Sequence, residues 1–195
     1  GYHHPLEIAK RYGTLDLLSG GRMVLGVGVG SLAPEFEMLG ASFADRGERA
    51  DEAIAALRAA WSDPRPSFDG RFYSFAGVAV EPCSARPRVP IWVGGYTQRS
   101  LRRAVTLADG WMPFGLTIEQ LTGMLARFEL PDGFEVVLSS GRALDPIGDP
   151  GEAEHRLNRV REAGATVVNC VLSAQSAGHF CDQLHALRGI AGGIT

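Results

Sequence analysis

Lysine is almost missing from this chain: of its 19 basic residues only Lys10 is a lysine. That skew toward arginine, with 25 glycines and plentiful alanine and proline, is the composition of a GC-rich genome. Net positive charge is missing too. A formal charge of −3 builds no basic stripe, which argues against a nucleic-acid binder. Cysteine is scarce: Cys83, Cys170 and Cys181 are odd in number and show no C-x-x-C spacing. A disulfide framework and a zinc knuckle are thereby excluded, and a reducing cytoplasm fits best. No apolar run approaches the roughly 18 residues of a membrane span, and no signal-peptide pattern opens the chain. A soluble cytoplasmic protein without a membrane partner is therefore expected.

Metal-ligand spacing is lacking as well. His3 and His4 are adjacent and point apart, while His179 and His185, six apart, do not share one helix face. No metal is expected. Neither a G-x-S-x-G nucleophile elbow nor a Walker A loop occurs. Asp51 and Glu52 are paired carboxylates, but they fall in a charged helical stretch where a solvated face is the simpler role.

What remains is a chain of 195 residues, 45% hydrophobic, of one-domain length and able to bury a sizeable core. Pro5 to Leu18 reads as an amphipathic helix with Leu6, Ala9 and Tyr12–Gly13 on one side, stopped by Ser19-Gly20-Gly21. A strand follows from Arg22 to Gly30, then a loop from Ser31 to Gly40 and a helix to Trp61. Ala53, Ile54, Leu57, Ala60 and Trp61 have the spacing of its buried face. Residues 62–90 break the rhythm with five prolines, and within them 68–75 read as a small aromatic hairpin. The alternation then resumes with strands at 91–93, 109–114, 134–138 and 165–172. A capping box, Thr117-x-x-Gln120, opens one of the intervening helices, and Asp149-Pro150 opens another. The last helix carries Phe180, Leu184 and Leu187. Five strands each precede a helix, which argues for a parallel α/β sheet or barrel.

Two stretches invite chemistry. In Arg22–Gly30, Met23, Leu25, Val27 and Val29 make one bulky face, and Val24, Gly26, Gly28 and Gly30 make the other. Glycine inside a strand marks close approach of a flat ligand or a second backbone, or else tight packing at a sheet bend. Gly28-Val29-Gly30-Ser31-Leu32-Ala33 also fits a dinucleotide-binding G-x-G-x-x-[GA] pattern. Pro34 follows at once, however, and Asp51 lies inside a helix where an acidic strand end is required. The second stretch is Gly94-Gly95-Tyr96-Thr97, a strand ending in two glycines with Thr97 placed to cap a helix. Free N–H groups there would attract phosphate, with Arg99, Arg102 and Arg103 adding charge nearby. An ordinary tight βα turn is the alternative.

The segments His4-Pro5-Leu6-Glu7-Ile8-Ala9-Lys10, Thr14–Arg22 and Leu25-Gly26-Val27-Gly28-Val29-Gly30, in this order, resemble the bacterial luciferase-like monooxygenase family. Arg46-Gly47-Glu48-Arg49 with Asp51-Glu52-Ala53-Ile54, Phe68-x-Gly70-x-Phe72-Tyr73, Pro90–Gly95 and Ala108-Asp109-Gly110-Trp111 add to the resemblance. It runs from about His3 to Trp111 and continues more loosely to the C-terminus. The resemblance implies a (β/α)8 TIM barrel that binds a flavin, either FMN or the deazaflavin coenzyme F420, at the C-terminal ends of its strands. Gly28, Val29 and Gly30 would lie beside the isoalloxazine ring, and Gly94, Gly95, Tyr96 and Thr97 would hold the phosphate. The implied activity is that of an oxidoreductase acting on a small organic substrate by hydride transfer or, with FMN, as a monooxygenase. Composition and the wording of Gly26–Gly30 lean toward the F420 branch. No residue receives a catalytic role.

Two departures follow from the same resemblance. Position 31 is Ser where many relatives carry a large aromatic and the sugar-phosphate dehydrogenases carry a catalytic Glu, which argues against a sugar-phosphate substrate. An eight-stranded barrel usually needs about 250 residues, and five strands are counted here. The chain is thus expected to be one partial barrel domain over 1–195, with an insertion at about 62–90 and the first three strands missing. Its open strand edges would pair with something, so a homo-oligomer is expected. The alternative is a non-catalytic flavin-binding or scaffold protein built from an incomplete barrel.

Overall fold

The computed structural model of the chain describes residues 2–82, 84–85 and 88–193. The chain divides into two compact units, Gly1–Gly110 and Trp111–Thr195. In the first, α1 (Pro5–Leu18) coincides with the expected helix, opened by His4, whose Nδ1 accepts from the Leu6 amide at 3.2 Å. Its buried side is Pro5, Ala9, Gly13 and Asp16 rather than the apolar stripe alone. Asp16 is fully buried because its carboxylate accepts from the Ala85 amide at 3.0 Å. α3 (Arg46–Ser62) buries Ile54, Leu57, Ala60 and Trp61 and packs on α1, where the Trp61 indole donates to the Ala9 carbonyl at 3.0 Å.

The strand expected over 22–30 is shorter: β1 covers Leu25–Val27 and pairs in parallel with β4 (Ile91–Gly94), Val27 opposite Val93. The alternation survives beyond the ladder. Leu25, Val27 and Val29 turn inward while Val24, Gly26, Gly28 and Gly30 are exposed. The loop expected at 31–40 contains a short helix, α2 (Ala33–Met38), which buries only Phe36. One apolar anchor in six residues leaves no helical periodicity to read. β2 (Phe68–Asp69) and β3 (Ser74–Phe75) form the small antiparallel hairpin, and Cys83 lies outside the described residues. α4 (Gln98–Leu107) follows β4 and returns to it. At the end of this unit the Asp109 amide donates to the Ile91 carbonyl at 2.9 Å, just before β5 (Gly110–Met112) begins.

In the second unit both bonds of the capping box are made: the Gln120 amide donates to Thr117 Oγ1, and the Thr117 amide donates to Gln120 Oε1. They open α5 (Ile118–Leu125). β6 (Glu135–Ser139) and β7 (Val167–Asn169) are parallel, joined by α6 (Pro150–Glu162), whose Asp149 cap accepts from the Glu152 amide. α7 (Ala177–Gly192) closes the unit. Of its three expected contacts only Leu187 packs inward, with Ile190, on a core of Leu144, Ala153 and Leu157. Phe180 and Leu184 are exposed, and the buried residue of α7 is Gln183. Gln183 is satisfied there by the Ile147 amide and the Asp145 carboxylate. A polar side chain with partners for its donors and acceptor can occupy a core position that hydropathy assigns elsewhere.

Candidate functional site

Because β1 and β4 run in the same direction side by side, Gly28–Gly30 and Gly94–Thr97 leave the sheet from the same end of neighbouring strands. Paired strands lie about 4.8 Å apart, so the two stretches singled out by sequence are brought together in one place. That place is the C-terminal end of parallel strands, where α/β folds of this kind assemble their sites.

The three glycines of the first stretch differ in kind. A Cβ at Gly26 or Gly28 would meet nothing within 4 Å, so the exposed face of β1 is bare backbone with open space above it. Gly30 is different. Its φ is +81°, and a Cβ would fall 2.6 Å from the Phe36 ring, so both conformation and packing demand glycine there. Phe36 itself is held by Tyr2, with ring centroids 4.7 Å apart, and by Phe43 at 5.2 Å. The Gly30 carbonyl accepts from Arg46 Nε at 3.2 Å, and Arg46 Nη1 donates to the Phe43 carbonyl at 2.8 Å.

The second stretch is organised locally. Thr97 caps α4: its Oγ1 accepts from the Ser100 amide at 3.2 Å, while Ser100 Oγ accepts from the Thr97 amide at 3.2 Å. Gly95 has φ +138°, and a Cβ would lie 2.7 Å from the Ser100 Cβ, so the turn closes only over glycine. The first-turn amides of Gln98 and Arg99 point out of the helix end with no acceptor within it, as at any α-helix N-terminus. Tyr96 and Arg99 are exposed beside them. Arg103, counted by sequence among the nearby charges, is instead committed to α3, pairing with Asp51 and donating to the Gly47 carbonyl at 3.2 Å.

Asp51 and Glu52 are not a solvated face. The Glu52 carboxylate accepts from the amides of Arg71 (3.0 Å), Phe72 (2.7 Å) and Tyr73 (2.7 Å), closing the β2–β3 turn. Burial raises its pKa, but these three bonds outweigh it and hold the carboxyl below its ordinary value. Sequence spacing offered no sign of this role, because the turn it caps lies about twenty residues away. Asp109 has a similar role at the opposite end of β4. It accepts from the Ile91 amide at 2.8 Å and pairs with Arg58 and with Arg88, the latter at 2.8 Å. Burial pushes its pKa up, and Arg58, the Ile91 amide and Arg88 together bring it below the usual carboxylate value. Arg58 Nη1 also donates to the Val89 carbonyl at 2.6 Å, so this cluster fixes the entry to β4.

Among the described residues, no three His, Cys, Asp or Glu side chains gather as a metal site, and no helix is long and apolar enough to cross a membrane.

Comparison with known proteins bears on the same region. The family described as luciferase-like monooxygenase matches residues 1–140. An uncharacterized protein of Mycobacterium tuberculosis is 38% identical over 123 residues, 63% of this chain and 42% of that protein. An F420-dependent glucose-6-phosphate dehydrogenase of Nocardia farcinica is 29% identical over 150 residues, 74% of this chain and 43% of the enzyme. The chain thus spans less than half the length of these relatives. Among solved structures, a long-chain alkane monooxygenase superposes with a TM-score of 0.77 at 15% identity, over 98% of this chain and 67% of that one. That likeness shows the fold, the α/β barrel type, of which β1, β4, β5, β6 and β7 with their following helices supply five βα units.

Proposed function

The chain belongs to the luciferase-like monooxygenase family, and from that premise we propose that its two strand exits form the binding site of a flavin-type cofactor, coenzyme F420 or FMN. One observation carries the reading. The open glycine face of β1 and the capped N-terminus of α4 stand at the same end of paired strands. A flat tricyclic ring needs a surface without side chains, and Gly26 and Gly28 offer bare backbone with nothing above it. A phosphate needs hydrogen-bond donors and positive potential, and the first turn of α4 offers the amides of Gln98 and Arg99 with the exposed Arg99 side chain. Gly28, Val29 and Gly30 would then bear the ring, and Gly94, Gly95, Tyr96 and Thr97 the phosphate.

When bound, such a cofactor supplies hydride transfer or, as reduced FMN, the activation of oxygen. The residues of this chain would position it and exclude water from the ring face that lies on β1. Descent from a family containing F420-dependent dehydrogenases favours F420 and an oxidoreductase acting on a small organic substrate. Ser31, the first residue past the glycine face, provides no carboxylate, which argues against a sugar-phosphate substrate. A homo-oligomer is part of the proposal, because β1 pairs in the described residues only with β4 and presents an open edge.

A second reading is favoured by a different observation. Asp45, Glu52 and Asp109, the carboxyls of the first unit with lowered pKa values, are all engaged by arginines or backbone amides. None of these three is then free to act as acid or base, which suits a non-catalytic flavin-binding or scaffold protein. Titration of the purified protein with F420 and with FMN, followed by ligand fluorescence and visible absorbance, tests both readings. Saturable quenching by one of them supports the site, and turnover with reduced cofactor separates enzyme from binder. If neither ligand binds, the site assignment fails.

A further inference from the structure

One helix reaches both halves of the site. Arg46, the first residue of α3, donates to the carbonyls of Gly30 and Phe43. Its guanidinium carbon lies 3.7 Å from the centroid of the Phe43 ring. A guanidinium held by stacking on one side has its N–H groups fixed in direction, so Nη1 anchored on the Phe43 carbonyl aims Nε at the Gly30 carbonyl and sets the position of that peptide. Five residues later on the same helix, Asp51 pairs with Arg103 of α4, and the Gly47 carbonyl accepts from the same guanidinium. Gly47 gives Arg103 its room, since a Cβ there would sit 3.3 Å from Nη2. The far end of α3 is anchored by Trp61 to α1 and by Arg58 to the entry of β4.

We propose that α3 is the positioning element of the site, with Arg46 setting the ring-bearing exit of β1 and Asp51, through Arg103, setting the phosphate-bearing end of α4. Resting on the cofactor reading above, the proposal gives two residues outside the binding segments separate effects on the two ends of one ligand. Arg46 acts on the segment Gly28–Gly30, which meets the ring. Asp51 acts on the first two turns of α4, which meet the phosphate. A ligand that lacks the phosphate should therefore feel one residue and not the other.

The test uses the full chain with Arg46→Met, Arg46→Lys and Asp51→Ala. Amide hydrogen exchange is measured without ligand. Affinity is measured for two pairs: FMN with riboflavin, and F420 with its phosphate-free ribityl deazaflavin. Arg46→Met should speed exchange at residues 28–31 and weaken both members of the bound pair by about tenfold, since two charge-assisted bonds are lost. Arg46→Lys should recover part of that loss, because an ammonium reaches one of the two carbonyls but not both. Asp51→Ala should speed exchange at 94–99 and weaken the phosphate-bearing member by about tenfold while leaving the phosphate-free one unchanged. Unchanged exchange at 28–31 in Arg46→Met, unchanged affinity despite faster exchange, or equal losses for both ligands in Asp51→Ala would each overturn the proposal. Should Arg46→Met fail to fold, Arg46→Lys decides by the same two readouts. If the unaltered protein binds none of the four ligands, the cofactor reading fails, and the exchange data still decide whether α3 positions the two segments.

Discussion

The exits of β1 and β4 reach the same end of the sheet by opposite means. The β4 exit is built from its own sequence. Gly95, Thr97 and Ser100 lie within six residues, and each satisfies or accommodates another. The β1 exit is built from elsewhere. Gly30 is packed by Phe36, steadied by Tyr2, and tied by Arg46 sixteen residues on. The first is a locally capped motif with an outside tie, from Arg103 of α4 to Asp51 and the Gly47 carbonyl, and the second is a surface held open by its neighbours. A phosphate is small and bound by backbone amides, so a short self-capped turn suffices for it. A ring needs a wide bare surface, and keeping one flat requires side chains that approach from outside it.

Substitutions can break this contrast, and the largest effect is expected where β4 enters the sheet. Asp109→Asn removes the charge that Arg58 and Arg88 share while leaving both guanidiniums in place, which should cost about 2–3 kcal/mol. For a chain of this length that is a fall in Tm of roughly 5–10 °C by calorimetry. The same carboxyl gives the pH dependence its sign. Its folded pKa lies below the unfolded value of about 4, so its contribution is complete above that pH and is lost as pH falls through the folded value. Acid titration of the native protein should show a destabilisation in that range that is smaller in Asp109→Asn, the remainder coming from other lowered carboxyls, Asp45 and Glu52 among them.

Next comes the local turn. Gly95→Ala forces a Cβ against Ser100 at a φ that alanine resists, at a cost of about 1–3 kcal/mol. Urea unfolding should show the loss, and affinity for a phosphate-bearing ligand should fall with it. Thr97→Ala removes the cap and should cost about 1 kcal/mol by the same measurement. Gly28→Ala is the smallest change in stability and the sharpest discriminator. Its Cβ meets nothing, so stability should stay within about 0.5 kcal/mol. Ring binding should nevertheless weaken by about tenfold, because a methyl group would stand on the bare face. Loss of stability without loss of binding in that variant would mean that the face serves packing alone.

What sequence could and could not show divides along the same line. Helix α1, the two capping sites Thr97 and Thr117, the hairpin and the βα alternation were all legible, because each rests on signals within a few residues. The β1 strand was legible in its alternation but not in its length, since pairing with β4 ends at Val27. Phe36, Arg46 and Glu52 were not legible as structural anchors. Their partners are a glycine six residues away, a carbonyl sixteen away and a turn about twenty away, and no local pattern encodes such contacts. Gln183 misled in the other direction: the face of α7 read from Phe180 and Leu184 is exposed, and the amide is what the unit buries.

The central claim is that the β1 and β4 exits make one site for one ligand. Amide chemical shifts of the isotopically labelled protein, followed through a titration with F420 and separately with FMN, test it most directly. The resonances of Gly26, Gly28, Val29 and Gly30 should move together with those of Gly94 through Arg99, along a single binding curve. Shifts confined to one of the two groups, or two groups saturating at different ligand concentrations, would contradict it.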